Sequence, residues 1–315
     1  ILLQSPDIAG VSFTGSSVAL DEIKRKHGTM LRNKFHGKSP LVFGSAETSG
    51  VNVVVVWHDA DIAHAAMECA KSFLGRQGQK CSSVRVIMAH ENVRDAINDA
   101  LKLAIEKVQF GKATGGADVG PVITRNAEDK VIRTMRDLLV SGVVVGMHEK
   151  QTNIPYQPLL SHKVLPTVLY APKDVIKDET KARMLMNTEI FGPVTTIMPI
   201  SSVADVQYLC ALSEFALTGA HFIEDLEVAL ELQNIIPAGN LYLNRKCTGA
   251  LVESECFGGL SSRSSPTGIK GKQSLALFGS MQTVAGFYPK SWDAAQHDTF
   301  ITEMRKRYGV VFSKT

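Results

Sequence analysis

The chain has 315 residues, enough for one large domain or two ordinary ones at about 150 residues per domain. With 44% hydrophobic and 21% charged residues, the composition is typical of a globular protein and excludes disorder or a small disulfide scaffold. The net charge of +3 is too balanced to predict a nucleic-acid partner or a membrane surface. No apolar stretch approaches the roughly 20 residues that a membrane span needs.

The hydrophobic pattern alternates between strands and helices along the chain. The valines at 53–56 predict a strand buried on both faces, followed by a helix that begins near Asp59 and ends at Gly75. Further strands are predicted over 83–89, 143–145, 164–169 and 218–222, and helices over 92–108, 128–140, 202–212, 226–235 and 291–308. This succession predicts a mostly parallel, doubly wound α/β sheet. A long Gly- and Ser-rich loop is predicted over 249–271.

The sequence lacks the common short motifs for metal binding and for nucleotide binding. The five cysteines contain no CxxC pair and the nine histidines lack zinc-ligand spacing, so we predict no metal site and a reducing compartment. The GKS at 37–39 is not a P-loop, because Arg32 stands where that motif needs a glycine. Neither GxGxxG nor GxSxG occurs.

The most informative cysteine is Cys81, in the sequence GRQGQKCSS at 75–83, between a predicted helix end and a predicted strand. Such a turn can present a thiol to a cleft, and we expect Lys80 and the nearby backbone amides to favour the thiolate. The alternative is that Cys81 is a buried small hydrophobic residue, which is the commoner role of a free cysteine.

A set of short motifs accompanies Cys81 along most of the chain. Glu47 lies in AETSGVN at 46–52, again in a small-residue turn before a strand. The others are FTGS at 13–16, GP at 120–121, PT at 166–167, EIFGP at 189–193 and FGG at 257–259. Together with Cys81, these motifs resemble the aldehyde dehydrogenase superfamily. Within that superfamily, Glu47-Thr48 and the stretch GNLYLNRKCTGALV at 239–252 are similar to the 1-pyrroline-5-carboxylate dehydrogenases, which oxidise L-glutamate 5-semialdehyde to glutamate in proline breakdown.

The resemblance implies a role for each matching residue. Cys81 is the nucleophile that forms a thiohemiacetal and then a thioester, and Glu47 is the general base for the hydrolytic water. The residues implied to bind NAD, on its pyrophosphate and nicotinamide sides, are Phe13, Gly15, Ser16, Glu189 and Phe191. Those implied to bind the substrate carboxylate are Ser82, Gly249 and Ala250.

Two segments depart from the family pattern, and the chain is shorter than family members. Ser49 replaces a glycine; if that glycine serves a close approach or a positive φ, the serine predicts strain in the turn and a shifted Glu47. Residues 260–268 differ from the usual SGTG. The resemblance implies a partial, Rossmann-like NAD-binding domain over 1–48 and a catalytic domain over 49–275. For residues 276–315 it implies an oligomerisation strand at 282–287 and a helical tail. It also implies that the N-terminal part of the family fold is missing.

A second hypothesis is that the chain is a degenerate, catalytically inactive dehydrogenase fold with a structural role in a larger assembly. Under the first hypothesis the partners are a small-molecule aldehyde and further copies of the chain, with no nucleic acid and no membrane span. The resemblance implies the mitochondrial matrix as the location, with bacterial cytoplasm as the alternative.

Overall fold

The computed structural model describes residues 10–27, 42–150, 162–251, 254–261, 263–265 and 293–308. Two compact units are present, Ile1–Phe278 and Gly279–Thr315. The first unit contains a small two-stranded sheet and a seven-stranded sheet. In the second unit the described residues form one helix, given below.

The small sheet is a parallel β–α–β unit. It consists of β1 (Gly10–Thr14), α1 (Ser17–His27) and β2 (Val42–Glu47). Ser16 caps α1, because its hydroxyl accepts the Ala19 N–H at 3.2 Å. Since the strands are parallel, their carboxyl ends lie at the same edge, and the Gly15 N–H donates to the Glu47 carbonyl at 3.1 Å.

The large sheet has the strand order β5-β6-β7-β4-β3-β8-β9. Every neighbouring pair is parallel except β5 and β6, so the predicted doubly wound, mostly parallel α/β fold is confirmed. The strands are β3 (Asn52–Val56), β4 (Val84–His90), β5 (Gly146–Glu149), β6 (Thr167–Tyr170), β7 (Val194–Ile200), β8 (Thr218–Phe222) and β9 (Asn240–Leu243).

Helices cover both faces of this sheet, and the side chains of β3 are buried on both of them. Its side chains alternate between two hydrophobic clusters: Val53 and Val55 pack on one face, and Val54 and Val56 on the other. The first face is covered by α4 (Arg125–Val140), α5 (Glu179–Asn187), α6 (Val203–Leu212) and α7 (Leu226–Ile235), and the second by α2 (Ile62–Leu74) and α3 (Arg94–Lys107). The helix of the second unit is α8 (Ala294–Tyr308).

One predicted strand is wrong in its position. The valines at 143–145 do not form a strand; β5 begins at Gly146 and runs antiparallel. The reason is that Val143 and Val144 complete the C-terminal end of α4, just after the positive-φ Gly142. The N–H groups of Val143 and Val144 both donate to the Leu138 carbonyl in that helix. The strand predicted from residue 164 begins at Thr167.

Several predicted segments are confirmed and one is not described. β8 and α7 have the bounds predicted for 218–222 and 226–235, and α2 ends at Gly75 as predicted. The chain passes from the small to the large sheet between Glu47 and Asn52, and both sheets belong to one compact unit. The assignment of functions to residues 1–48, 49–275 and 276–315 stays a prediction. The predicted oligomerisation strand at 282–287 lies outside the described residues.

Candidate active site

A cavity of about 1030 Å³ lies in the first unit, where the turn after β1, the Cys81 loop, α4 and the loop before β7 meet. Loops at the carboxyl ends of parallel strands are where such folds bind ligands. Eight of the ten predicted site residues line this cavity: Gly15, Ser16, Cys81, Ser82, Glu189, Phe191, Gly249 and Ala250. The other two, Phe13 and Glu47, lie beside it.

Phe13 packs against the turn that lines the cavity. A Cβ atom at Gly15 would lie 2.7 Å from the Phe13 ring, so a larger residue there would displace that ring. Gly15 and Ser16 then lead directly into α1, whose first residues also line the cavity. The cavity therefore includes a helix N-terminus, which favours a negatively charged group.

Cys81 is partly exposed to the cavity, and its surroundings raise the pKa of its thiol. Burial raises the pKa of this thiol, and the carboxylates of Glu47 and Glu189 raise it further. The backbone N–H groups of Cys81 and Ser82 lower the pKa, but by less. The backbone amides do favour the thiolate as predicted, but burial and two nearby negative charges outweigh them, and Lys80 is not among the groups that shift this pKa.

This environment has a measurable consequence. We expect iodoacetamide to modify Cys81 slowly at pH 7 and at a rate that still rises above pH 9, because only the thiolate reacts. Peptide mass spectrometry across a pH series measures this rate, with the exposed Cys256 as the internal control that reacts first. Modification of Cys81 ahead of Cys256 at pH 7 would contradict the assignment.

Glu47 is buried behind the cavity wall, with 3% of its surface exposed, and is held by a serine distant in sequence. Its Oε2 accepts a hydrogen bond from the Ser265 hydroxyl at 2.6 Å, and that hydroxyl accepts the Gly259 N–H. The Thr48 N–H donates to the Ser264 carbonyl at 2.9 Å, so the same segment fixes the backbone beside Glu47. Sequence reasoning noted 260–268 only as a departure from the family pattern and missed Ser265.

Glu189 is bound to the turn that carries Glu47. Its Oε1 accepts the Gly50 N–H at 3.1 Å, and the Ser49 side chain hydrogen-bonds the same carboxylate. Burial raises the pKa of Glu189, while Gly50, Arg85 and Ser49 oppose that shift. Ser49 does not have a positive φ, so the strain predicted for a positive-φ position does not arise there, and its side chain interacts with the Glu189 carboxylate.

The predicted carboxylate-binding residues share the cavity with Cys81. Ser82 is buried with 7% of its surface exposed, and Gly249 adopts a φ of +85° that favours glycine. Both line the cavity, as does Ala250. The structure brings these residues together across the gap between the Cys81 loop and the segment after β9.

Within the described ranges, no group of three or more His, Cys, Asp or Glu side chains is arranged to hold a metal ion. Nor is any helix of the described part long and apolar enough to cross a membrane.

Comparison with known proteins gives a consistent result. The 1-pyrroline-5-carboxylate dehydrogenase 2 of Bacillus subtilis (strain 168) is 29% identical over 288 residues, which are 91% of this chain and 53% of that protein. A solved Thermus 1-pyrroline-5-carboxylate dehydrogenase with bound NAD superimposes with a TM-score of 0.74 at 26% identity, over 88% of this chain and 50% of the other. Methylmalonate-semialdehyde dehydrogenase from Oceanimonas doudoroffii shares the fold, with a TM-score of 0.75 at 24% identity, over 92% of this chain and 56% of the other.

This chain spans about half the length of the relatives it matches. The profile described as "Aldehyde dehydrogenase family" matches residues 1–284, which is most of the sequence. The match, the sheet order and the cavity at Cys81 agree with one another. The chain belongs to the aldehyde dehydrogenase family.

Proposed function

We propose that this chain carries the nucleophile and the base of a dinucleotide-dependent aldehyde oxidation, with L-glutamate 5-semialdehyde as the substrate and NAD as the hydride acceptor. The observation that carries the proposal is that the Cys81 thiol faces a large cavity while the buried Glu47 carboxylate lies close enough to raise its pKa. The 1-pyrroline-5-carboxylate dehydrogenases among the relatives support the choice of substrate.

The reaction begins at the Cys81 sulfur. The Cys81 thiol loses its proton to solvent and the thiolate adds to the aldehyde carbon, with the backbone N–H of Cys81 as one donor available to the resulting oxyanion. NAD would accept the hydride that leaves this carbon, so that the adduct becomes a thioester. Glu47 then takes a proton from the water that attacks the thioester, the Cys81 thiolate leaves as the acid is released, and the Ser265 hydroxyl holds the Glu47 carboxylate in place.

The cavity fits a dinucleotide in size and in charge. Its volume of about 1030 Å³ exceeds what a small aldehyde needs. Gly15, Ser16 and the N-terminus of α1 would hold the pyrophosphate, and Glu189 and Phe191 would lie at the nicotinamide end. Ser82, Gly249 and Ala250 would bind the substrate carboxylate, since a glycine with positive φ lets successive N–H groups converge on an anion.

One observation favours the second hypothesis, a structural subunit without catalytic activity. The Glu189 carboxylate already binds Gly50 and Ser49, so it must exchange these partners before it can bind ribose hydroxyl groups. Titration calorimetry of the chain with NAD separates the two hypotheses: measurable binding that is lost on addition of excess NADH supports the dehydrogenase. Self-association and the location in the mitochondrial matrix or the bacterial cytoplasm stay predictions.

The Glu47→Gln substitution tests the proposed chemistry. We expect steady-state NADH formation to fall by about 10² to 10⁴-fold, because thioester hydrolysis loses its base. The first turnover should be retained or accelerated, because removing this negative charge lowers the pKa of Cys81. Stopped-flow absorbance resolves the two phases.

The control for this experiment is Glu91→Gln, which removes a carboxylate from an exposed position. It should leave both phases unchanged. Equal loss of the first turnover and of the steady state in Glu47→Gln would contradict the role of Glu47 as the hydrolytic base.

A further inference from the structure

The turn that carries Cys81 is fixed by buried side chains that bind its carbonyl groups. Arg85, with 3% of its surface exposed, donates through Nη2 to the carbonyls of Gly78 and Lys80, the latter at 3.2 Å. Its Nη1 donates to the Gly192 carbonyl at 2.8 Å, which joins this turn to the loop before β7. Burial lowers the pKa of Arg85 to about 10, so the guanidinium remains charged at neutral pH.

Asn52 binds the other half of the turn. Its Nδ2 donates to the carbonyls of Cys81 and Ser83, both at 2.7 Å, and its Oδ1 accepts the Thr218 N–H at 3.1 Å. Only 1% of Asn52 is exposed. The pairing of β3 with β4 shifts register between Asn52 and Val53, and such irregularities commonly turn a side chain towards a functional site.

The orientation of these carbonyls determines where the neighbouring N–H groups point. In a trans peptide the C=O of one residue and the N–H of the next point in opposite directions. Because the Lys80 and Cys81 carbonyls are held by Arg85 and Asn52, the N–H groups of Cys81 and Ser82 point away from these side chains. Both of those N–H groups flank the Cα atom that bears the Cys81 side chain, and both lower the pKa of its thiol.

We propose that Asn52 and Arg85 are positioning residues, which orient two consecutive peptide groups so that their N–H groups stabilise the thiolate of Cys81. This inference deepens the proposed function, since it concerns the same thiol. Asn52 gives the clearer test of the two, because its side chain is neutral and its substitution changes no charge near the sulfur. Arg85 adds a positive charge near the sulfur, opposite in sign to the carboxylates of Glu47 and Glu189.

The test is the pH dependence of Cys81 alkylation by iodoacetamide in Asn52→Ala and Asn52→Leu, followed by peptide mass spectrometry. We expect the rate at pH 7.5 to fall by about tenfold or more, with the midpoint of the profile at higher pH, because a hydrogen bond to a charged group is lost or misdirected. Unfolding would act in the opposite direction, since it exposes the thiol.

A matched control is available on β9. Asn240 is also a buried amide at the start of a strand, and it binds the Cys256 carbonyl at 2.7 Å and the Gly258 N–H at 3.3 Å. Asn240→Ala should leave the midpoint for Cys81 unchanged. Protection of the fully buried Cys69 and Cys247 reports that each variant remains folded.

The inference is overturned if folded Asn52 variants alkylate Cys81 with the wild-type midpoint, or if Asn240→Ala shifts it equally. If both Asn52 variants unfold, Arg85→Lys decides by the same criterion, because it keeps the charge while losing the fork that reaches several carbonyls. The readout requires neither aldehyde nor dinucleotide, so its failure is distinguishable from failure of the proposed function.

Discussion

The Cys81→Ala substitution is expected to reduce NADH formation from glutamate semialdehyde by at least about 10³-fold, to the background of the assay. No other cysteine can replace the nucleophile. Cys69, Cys210 and Cys247 are buried in the core, and Cys256 is exposed and is not among the residues that line the cavity. The loss should appear in kcat, since the adduct forms only through this sulfur.

The same substitution should change stability little, because the thiol is partly exposed to the cavity rather than packed in the core. A thermal unfolding curve within a few degrees of wild type therefore accompanies the loss of activity. Cys256→Ala is the control and should retain full activity. Retention of more than about a tenth of the activity by Cys81→Ala would contradict the covalent mechanism.

The second large effect is expected for stability, at Gly78. The Gly78→Ala substitution should lower the free energy of unfolding by about 3 to 5 kcal/mol, at the upper end of single-residue effects. Gly78 has a φ of +65°, and a Cβ atom there would lie 1.9 Å from the Gly192 carbonyl oxygen, so both backbone strain and a steric clash act together. The close approach joins the Cys81 turn to the loop that carries Glu189.

Gly75 provides a control three residues earlier in the same turn. Its φ is −55° and nothing lies within 4 Å of the position of a Cβ, so Gly75→Ala should be neutral or stabilising by up to about 1 kcal/mol. Chemical denaturation of both variants measures the difference. Equal unfolding midpoints for the two would show that the contact between Gly78 and Gly192 is not needed for stability.

Much of the fold follows from local sequence patterns. The unbroken valines of β3 predict a strand covered on both faces, and each second valine does pack into a different cluster. α7 was predictable because Asp225 supplies an N-cap, with its carboxylate accepting the N–H groups of Glu227 and Val228. The strand over 143–145 was misplaced because Gly142 marks a helix end in the sequence but does not show that the N–H groups of the next two valines complete that end.

The site was predictable only where the family motifs supply it. Cys81, Glu47 and the residues around them come from motif resemblance, and their roles stay predictions that the experiments above test. Ser265 binds Glu47 across 218 residues of sequence, and no periodicity or spacing reveals such a pair. The contact of Asn52 with the Cys81 turn likewise depends on the neighbouring positions of β3, β4 and β8 in the sheet, which the chain order alone does not give.

The most direct test of covalent catalysis is to find the intermediate. The Glu47→Gln variant, mixed with glutamate semialdehyde and NAD and quenched in acid, should accumulate a glutamyl thioester because its hydrolysis is slowed. Peptide mass spectrometry is expected to place this adduct on Cys81 and on none of the other four cysteines. An unmodified Cys81 peptide, or an adduct on Cys256 instead, would contradict the account.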